Sequence, residues 1–109
     1  EFFFSIQEET HEKLGPHAFP ITLREGVPFT KDEFVDFIEE AGIDSRNLFY
    51  SIPTQCPGYA FLGYDLGEFP NAEYFGTNGC HIGVHQDLEI SDLDYVIDTI
   101  REFVKKKVK

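Results

Sequence analysis

The spacing of apolar residues changes period several times along the chain. Phe2 to Gln7 starts in a run of aromatics and turns polar from Gln7 through Lys13, which predicts a first strand. Gly15-Pro16 marks a turn. From Ala18 to Arg24 the pattern alternates and places Phe19, Ile21 and Leu23 on one face of a second strand. Pro20 has no N–H to give to a ladder, which predicts an edge position or a strand start. The period then becomes helical. Thr30 is an N-cap with Glu33 three residues on, a capping box. Phe34, Phe37, Ile38 and Ala41 follow along one helical face, and Gly42 supplies the left-handed residue after its end.

Ile43 to Tyr50 reads as a strand starting near Ser45. Strand, helix and strand in succession predict an open sheet with helices on one face. Residues 51–69 hold Pro53, Pro57, Gly58, Gly63 and Gly67 among aromatics. They form an irregular segment, with a helical turn expected at Tyr59 to Leu62. So long a loop in a small domain is usually functional or packed against something else. Pro70 to Phe75 reads as a short helix and Cys80 to Val84 as a strand, with a turn over Gln86 to Ile90. Ser91, with Asp94, is the expected cap of a last helix, whose stripe is Leu93, Val96, Ile97, Ile100, Phe103 and Val104. There is no internal repeat, and the lysine-rich end is the one low-complexity stretch.

Length and charge narrow the function classes. At 109 residues the chain is expected to be a single domain, 1–109. The net charge is −11, yet five of the nine basic residues lie in the last nine positions, so residues 1–100 carry four basic and nineteen acidic residues, a net of −15. Such a body repels nucleic acid and anionic membranes. The terminal lysines, 105–107 and 109, are better suited to a helix C-terminus. No apolar run approaches the ~18–20 residues of a membrane span. No methionine is present, and Phe2-Phe3-Phe4 follow Glu1 at once. Three exposed phenylalanines would invite aggregation, so a buried first strand in a fragment of a larger protein is expected. Cys56 and Cys80 have no metal or redox spacing; cytosolic thiols are the default, and a disulfide requires the fold to bring them together.

Candidate chemistry centres on Phe69 to His85, where turns flank a short helix and a strand. His81 and His85 form an H-x-x-x-H, the spacing of two metal ligands on a helix. On a strand the two lie roughly 13 Å apart by rise, too far for a shared ion, so local hydrogen bonding is expected instead. Cys80 and His81 are adjacent on a strand, point to opposite faces and cannot pair as nucleophile and base. No glycine-rich phosphate loop opens a helix. Glu73 is expected to bond a backbone group. Arg46 is the one lysine or arginine between Lys31 and Arg101. It either pairs with an acidic neighbour or contacts an anion through its planar fork.

Read in order, several motifs resemble one family. They are Gly26-Val-Pro-Phe-Thr-Lys-Asp-Glu-Phe34, Gly42-Ile-Asp-Ser-Arg-Asn-Leu-Phe49, Pro53-Thr-Gln-Cys-Pro-Gly-Tyr59, Phe69-Pro-Asn-Ala-Glu73 and His81-Ile-Gly-Val-His-Gln-Asp-Leu88, followed by the last helix. Across about residues 18–104 they resemble the C-terminal domain of the DegT/DnrJ/EryC1/StrS family of sugar aminotransferases. The Gly-Val-Pro-Phe-Thr and Asn78-Gly to Val84 stretches are similar to a branch that carries histidine in place of the imine lysine and acts as a 3-dehydratase on CDP-4-keto-6-deoxyglucose. The Thr54-Gln-Cys-Pro57 run departs from the Arg-Gln-Pro form of that branch.

The resemblance implies an α+β fold, a small open, mainly antiparallel sheet packed by helices, as in the C-terminal small domain of fold type I enzymes. It implies a parent with a larger N-terminal domain carrying pyridoxal phosphate, no cofactor on this fragment, and a cytoplasmic homodimer that moves an amino group from glutamate to a nucleotide-linked keto sugar. None of the six lysines has an imine-forming context, so no catalytic residue and no metal ligand is expected here. The substrate-lining candidates implied are Arg46, Tyr50, Gln55, Asn78, His81 and His85, with Arg46 toward an anion and the others toward sugar hydroxyls or the cofactor edge. Two other classes stand beside this reading: a self-sufficient ligand-binding α+β module without catalysis, and an interaction domain that offers its acidic faces to a basic partner.

Overall fold

Thr30 opens the first helix as its spacing predicts. Its hydroxyl accepts from Glu33 N while the Glu33 carboxylate accepts from Thr30 N at 2.8 Å. In the computed structural model, which describes residues 1–48 and 52–108, this helix is α1, Lys31–Glu40. It packs on a four-stranded antiparallel sheet in the order β1-β2-β4-β3, with β1 at Phe3–Phe4, β2 at Ala18–Leu23, β3 at Ser45–Asn47 and β4 at Gly79–Gly83. Two short 3₁₀ turns, Pro53–Gln55 and Pro57–Leu62, interrupt the long loop; α2 spans Pro70–Asn78 and α3 Ile90–Lys107. The architecture is the expected α+β one.

One face of the sheet holds the core. Ile21, Leu23 and Cys80 close on Phe29, Phe34 and Ile38 and on Phe103 of α3. Phe103 meets Phe29 edge-on at 4.8 Å and Phe34 at 5.3 Å between ring centroids. Such pairs add ~0.5–1.5 kcal/mol each beyond burial. The N-terminal aromatics join this core as expected, with Phe3 against Phe34 at 4.9 Å and Phe2 against Phe29 at 6.1 Å.

Four elements differ from their predicted extents. The first strand, expected over Phe2 to Gln7, pairs at Phe3 and Phe4 alone. Arg24 N bonds Phe2 O, so strand alternation turns the 22 and 20 positions of β2 to the same side. Pro20 stands where the next donor is needed, and the Ser5 hydroxyl bonds Pro20 O instead. β2 is thus an inner strand that behaves as an edge from Pro20 onward. Among the described residues the third strand covers Ser45–Asn47; Phe49 and Tyr50 lie outside them. α2 runs three residues past Phe75, keeps Gly76 buried inside it and ends where Asn78 Nδ2 bonds Tyr74 O at 3.1 Å. It also takes the second face of the sheet, where Phe75 meets Phe4 at 5.4 Å, so helices cover both faces rather than one. Finally, α3 is capped by Glu89 and Asp92, not Ser91 and Asp94: the two carboxylates make the same reciprocal bonds two residues earlier.

The cysteines are free thiols. Among the described residues no helix is long and apolar enough to cross a membrane.

Candidate functional site

The register of the sheet creates a short polar row. Pro20 of β2 pairs with His81 of β4, and His81 pairs with Arg46 of β3. Directly opposed residues point to one face, with Cβ atoms about 4.5–5.5 Å apart. This is the face opposite the main core. At one end α2 covers it over Phe4, Thr22 and Gly79; at the other, Arg46 is exposed and His81 half-buried. No strand carries a carboxylate, since their sequences are FF, AFPITL, SRN and GCHIG. In a chain with 20 acidic residues, this face is spared them. Among the described residues no ion pair involves Arg46, so the acidic-neighbour reading of Arg46 is not realised there.

The other candidates are distributed elsewhere. Asn78 lines a groove of about 420 Å³ between the end of α2 and the start of α1, together with Leu23, Lys31, Tyr74 and Thr77. Gln55 gives its amide hydrogens to Asp65 O of the loop at 2.8 Å and to Glu73 Oε1 of α2 at 2.6 Å. Its Oε1 and the neighbouring Thr54 hydroxyl are buried without a partner among the described residues. His85 lies past the end of β4, exposed, with Nδ1 accepting from Asp87 N at 3.2 Å and 3.7 Å from the Asp87 carboxylate. Tyr50 lies outside the described residues. The structure therefore brings Arg46 and His81 together, and leaves Gln55, Asn78 and His85 at separate places.

Glu73 bonds backbone as expected and does more. Its carboxylate accepts from Gln55, from Gly67 N at 2.7 Å and from Phe69 N, and these bonds hold its pKa below the usual carboxylate value, Gln55 most of all. The loop is tied to α2 through this one side chain. Two groove residues went unpredicted. The Tyr74 hydroxyl donates to Leu23 O at 2.7 Å, and burial, then the nearby Glu25, pushes its pKa up. Lys31 is 4% exposed, with Nζ 3.5 Å from Asp32 Oδ1. A signal for Lys31 existed, since it lies three and seven residues before Phe34 and Ile38, on the buried face of α1.

Burial pushes the Cys80 thiol up to about 11, which suits a packing residue and not a nucleophile. No group of three or more His, Cys, Asp or Glu residues among the described ones could hold a metal ion. Among the described lysines, Lys31 is buried beside Asp32, Lys106 and Lys107 are engaged by Glu102 and Glu33 at the end of α3, and Lys13 and Lys105 are exposed.

Comparison with known proteins gives this geometry its setting. Residues 2–101 match the DegT/DnrJ/EryC1/StrS aminotransferase family. The lipopolysaccharide biosynthesis protein RfbH of Salmonella typhimurium is 35% identical over 104 residues, a stretch covering 93% of this chain and 24% of RfbH. The dTDP-4-dehydro-2,6-dideoxy-D-glucose 3-dehydratase of Saccharopolyspora spinosa is 29% identical over 88% of this chain and 21% of its own length. Among solved structures, the apo form of the putative sugar aminotransferase Spr1654 from Streptococcus pneumoniae superposes with a TM-score of 0.79 at 20% identity, over 98% of this chain and 27% of that one. The chain thus spans about a quarter of the length of the relatives it matches. With the family pattern running through nearly every element of the sheet and its helices, this chain belongs to the DegT/DnrJ/EryC1/StrS aminotransferase family.

Proposed function

We propose that this chain is the C-terminal small domain of a pyridoxal phosphate-dependent aminotransferase acting on a nucleotide-linked keto sugar, for polysaccharide or glycoconjugate biosynthesis. The observation that carries the reading is the family match over residues 2–101. In the intact enzyme the cofactor supplies the electron sink for amino transfer and is held outside these residues. Glutamate is the amino donor, and the parent is a cytoplasmic homodimer.

This chain contributes substrate contacts. The Arg46 fork takes an anionic group of the substrate, with His81 beside it on the carboxylate-free face. Tyr50, Gln55, Asn78 and His85 are the remaining candidates for sugar hydroxyls or the cofactor edge. A second reading, a sugar 3-dehydratase, is favoured by the S. spinosa enzyme and by the GDP-4-keto-6-deoxy-D-mannose 3-dehydratase of Yersinia pseudotuberculosis, 31% identical over 95% of this chain.

The test uses the longer polypeptide carrying this domain, assayed with nucleotide-linked 4-keto sugars and glutamate. Product mass separates an amino sugar from a dehydrated one, and neither product refutes both readings. Arg46→Ala is expected to raise KM for the nucleotide sugar about tenfold or more, the worth of a charged hydrogen bond, without altering the fold, since Arg46 is exposed. An unchanged KM removes Arg46 from the site. The isolated chain is expected to give no visible absorption band with pyridoxal phosphate, and a 1:1 band would overturn the assignment of the cofactor to another domain.

A further inference from the structure

Residues 52–69 are held by something other than burial. None of them is buried, and none belongs to the apolar core. Their apolar side chains face outward or meet one another. Phe61 and Leu66 are 80% and 77% exposed, Tyr59 lies against Phe61, and Tyr64 against Phe69. The segment has local order of its own: Gln55 N bonds Ile52 O, Tyr59 N bonds Cys56 O and Gly63 N bonds Ala60 O through the two 3₁₀ turns. A piece of chain with internal bonds and no buried side chain has low local stability and can open while the core stays closed.

Glu73 fastens it. Three donors converge on one oxygen, Oε1. The Gln55 amide reaches it from the start of the segment at 2.6 Å, and the Gly67 and Phe69 N–H groups from its end at 2.7 and 3.4 Å. Gly67 stands at φ +96°, a conformation that glycine takes without strain, and the chain turns there toward the carboxylate. Ends brought together on one atom, below a body that packs on itself, are the marks of an Ω loop. Glu73 lies in the first turn of α2, which is anchored in its turn by Phe75 on Phe4 and by the Tyr74 hydroxyl on Leu23 O. Bonds to an ionised carboxylate are the stronger kind, and the depressed pKa of Glu73 keeps it ionised at neutral pH.

We propose that Glu73 is a clasp: it pins residues 52–69 to α2 as a flap that opens as a unit while the sheet, α1 and α3 stay folded. Because the flap carries Gln55, Glu73 is also a positioning residue for the substrate site, and this second part rests on the sugar-enzyme reading. Amide hydrogen exchange of the 109-residue chain, read residue by residue by NMR, tests the clasp without any substrate. In Glu73→Gln the amides of Tyr59, Gly63 and Gly67 are expected to exchange about tenfold faster, the strength of one charged hydrogen bond, while those of α1 and the β2–β4 pair keep their rates. Gln55→Leu, which removes one donor and leaves the carboxylate, is expected to speed the same amides. A rise shared by flap and core, or flap amides unmoved by either substitution, overturns the clasp. In the longer polypeptide, Glu73→Gln and Gln55→Leu are each expected to raise KM for the nucleotide sugar about tenfold with kcat little changed, and the double variant no further, since the two act as one unit. An unaltered KM beside a loosened flap overturns the positioning role alone. A parent polypeptide that turns over no nucleotide-linked keto sugar refutes the enzyme reading and the positioning role with it, and the exchange rates still decide the clasp.

Discussion

Glu33 joins two ends of the chain that the sequence keeps 74 residues apart. It closes the cap of α1 on Thr30 and receives Lys107 Nζ at 2.6 Å from the end of α3. Lys107, then the Thr30 backbone N–H, lowers its carboxyl from 4.5 to about 2. A carboxyl depressed in the folded state stabilises above its ordinary value, and that contribution is lost as pH falls from there through the folded-state value. Glu33→Gln is therefore expected to lower stability at neutral pH, with its deficit against the parent chain closing as pH falls from about 4.5 toward 2. Urea titrations at successive pH values measure this, and a deficit independent of pH would show that the charge is not what matters. The Thr30–Glu33 half of this arrangement was legible, because a capping box is written in adjacent residues. The Lys107 half was not, because it depends on α1 and α3 lying side by side. Arg46 repeats the lesson: its isolation among acidic residues stood out in the sequence, but His81 as its neighbour follows from a β3–β4 register between segments far apart in the chain.

At the scale of elements, periods and the starts of α1 and α2 were read well, the cap of α3 was placed two residues too late, and element lengths were read poorly. Lengths were decided by single atoms. The missing N–H of Pro20 stops β1, and the Asn78 amide closes α2 three residues past its predicted end. The α2–β4 junction is the tightest case. A Cβ at Gly79 would meet Leu48 Cδ1, Phe75 O and the Thr22 hydroxyl, and two of those neighbours belong to other strands or their ends. Gly79→Ala is expected to cost ~1–3 kcal/mol as an overpacked site, because Phe75 O is backbone and does not swing aside. Thermal unfolding measures the loss, and an unchanged melting temperature would mean that α2 is free to slide on the sheet. Over its described residues, 52–69, the loop was rightly read as irregular with a helical turn, but its tie to α2 through Glu73 and Gln55 could only be partly foreseen, since the partners sit 18 residues apart.

Across the whole molecule one aromatic core links the sheet to α1 and α3, and Phe103 is its hub, 1% exposed between Phe29, Phe34 and Phe37. Phe103→Ala is expected to cost ~3–5 kcal/mol, a large share of the ~5–15 kcal/mol that holds a domain together. Denaturant titration followed by circular dichroism checks it; a cost below about 1 kcal/mol would mean that α3 is not part of the cooperative unit. The α+β class was legible because strand and helix periods differ so clearly. The division of the molecule into acidic helical surfaces and a sheet face without carboxylates was not, because which face a strand residue takes is fixed only once its partners are known.

Pro20 has one more consequence. An edge with free donors and acceptors invites any extended chain to add to it, and proteins guard such edges with prolines and very short strands. Past Phe4, β2 has no paired strand on the β1 side among the described residues, and the donor that an incoming strand would need at position 20 does not exist. At the opposite border β3 offers, among the described residues, three paired positions, one of them a charged arginine. A proline past the end of β1 and a very short β3 thus guard an aromatic-rich sheet that begins with a triple phenylalanine.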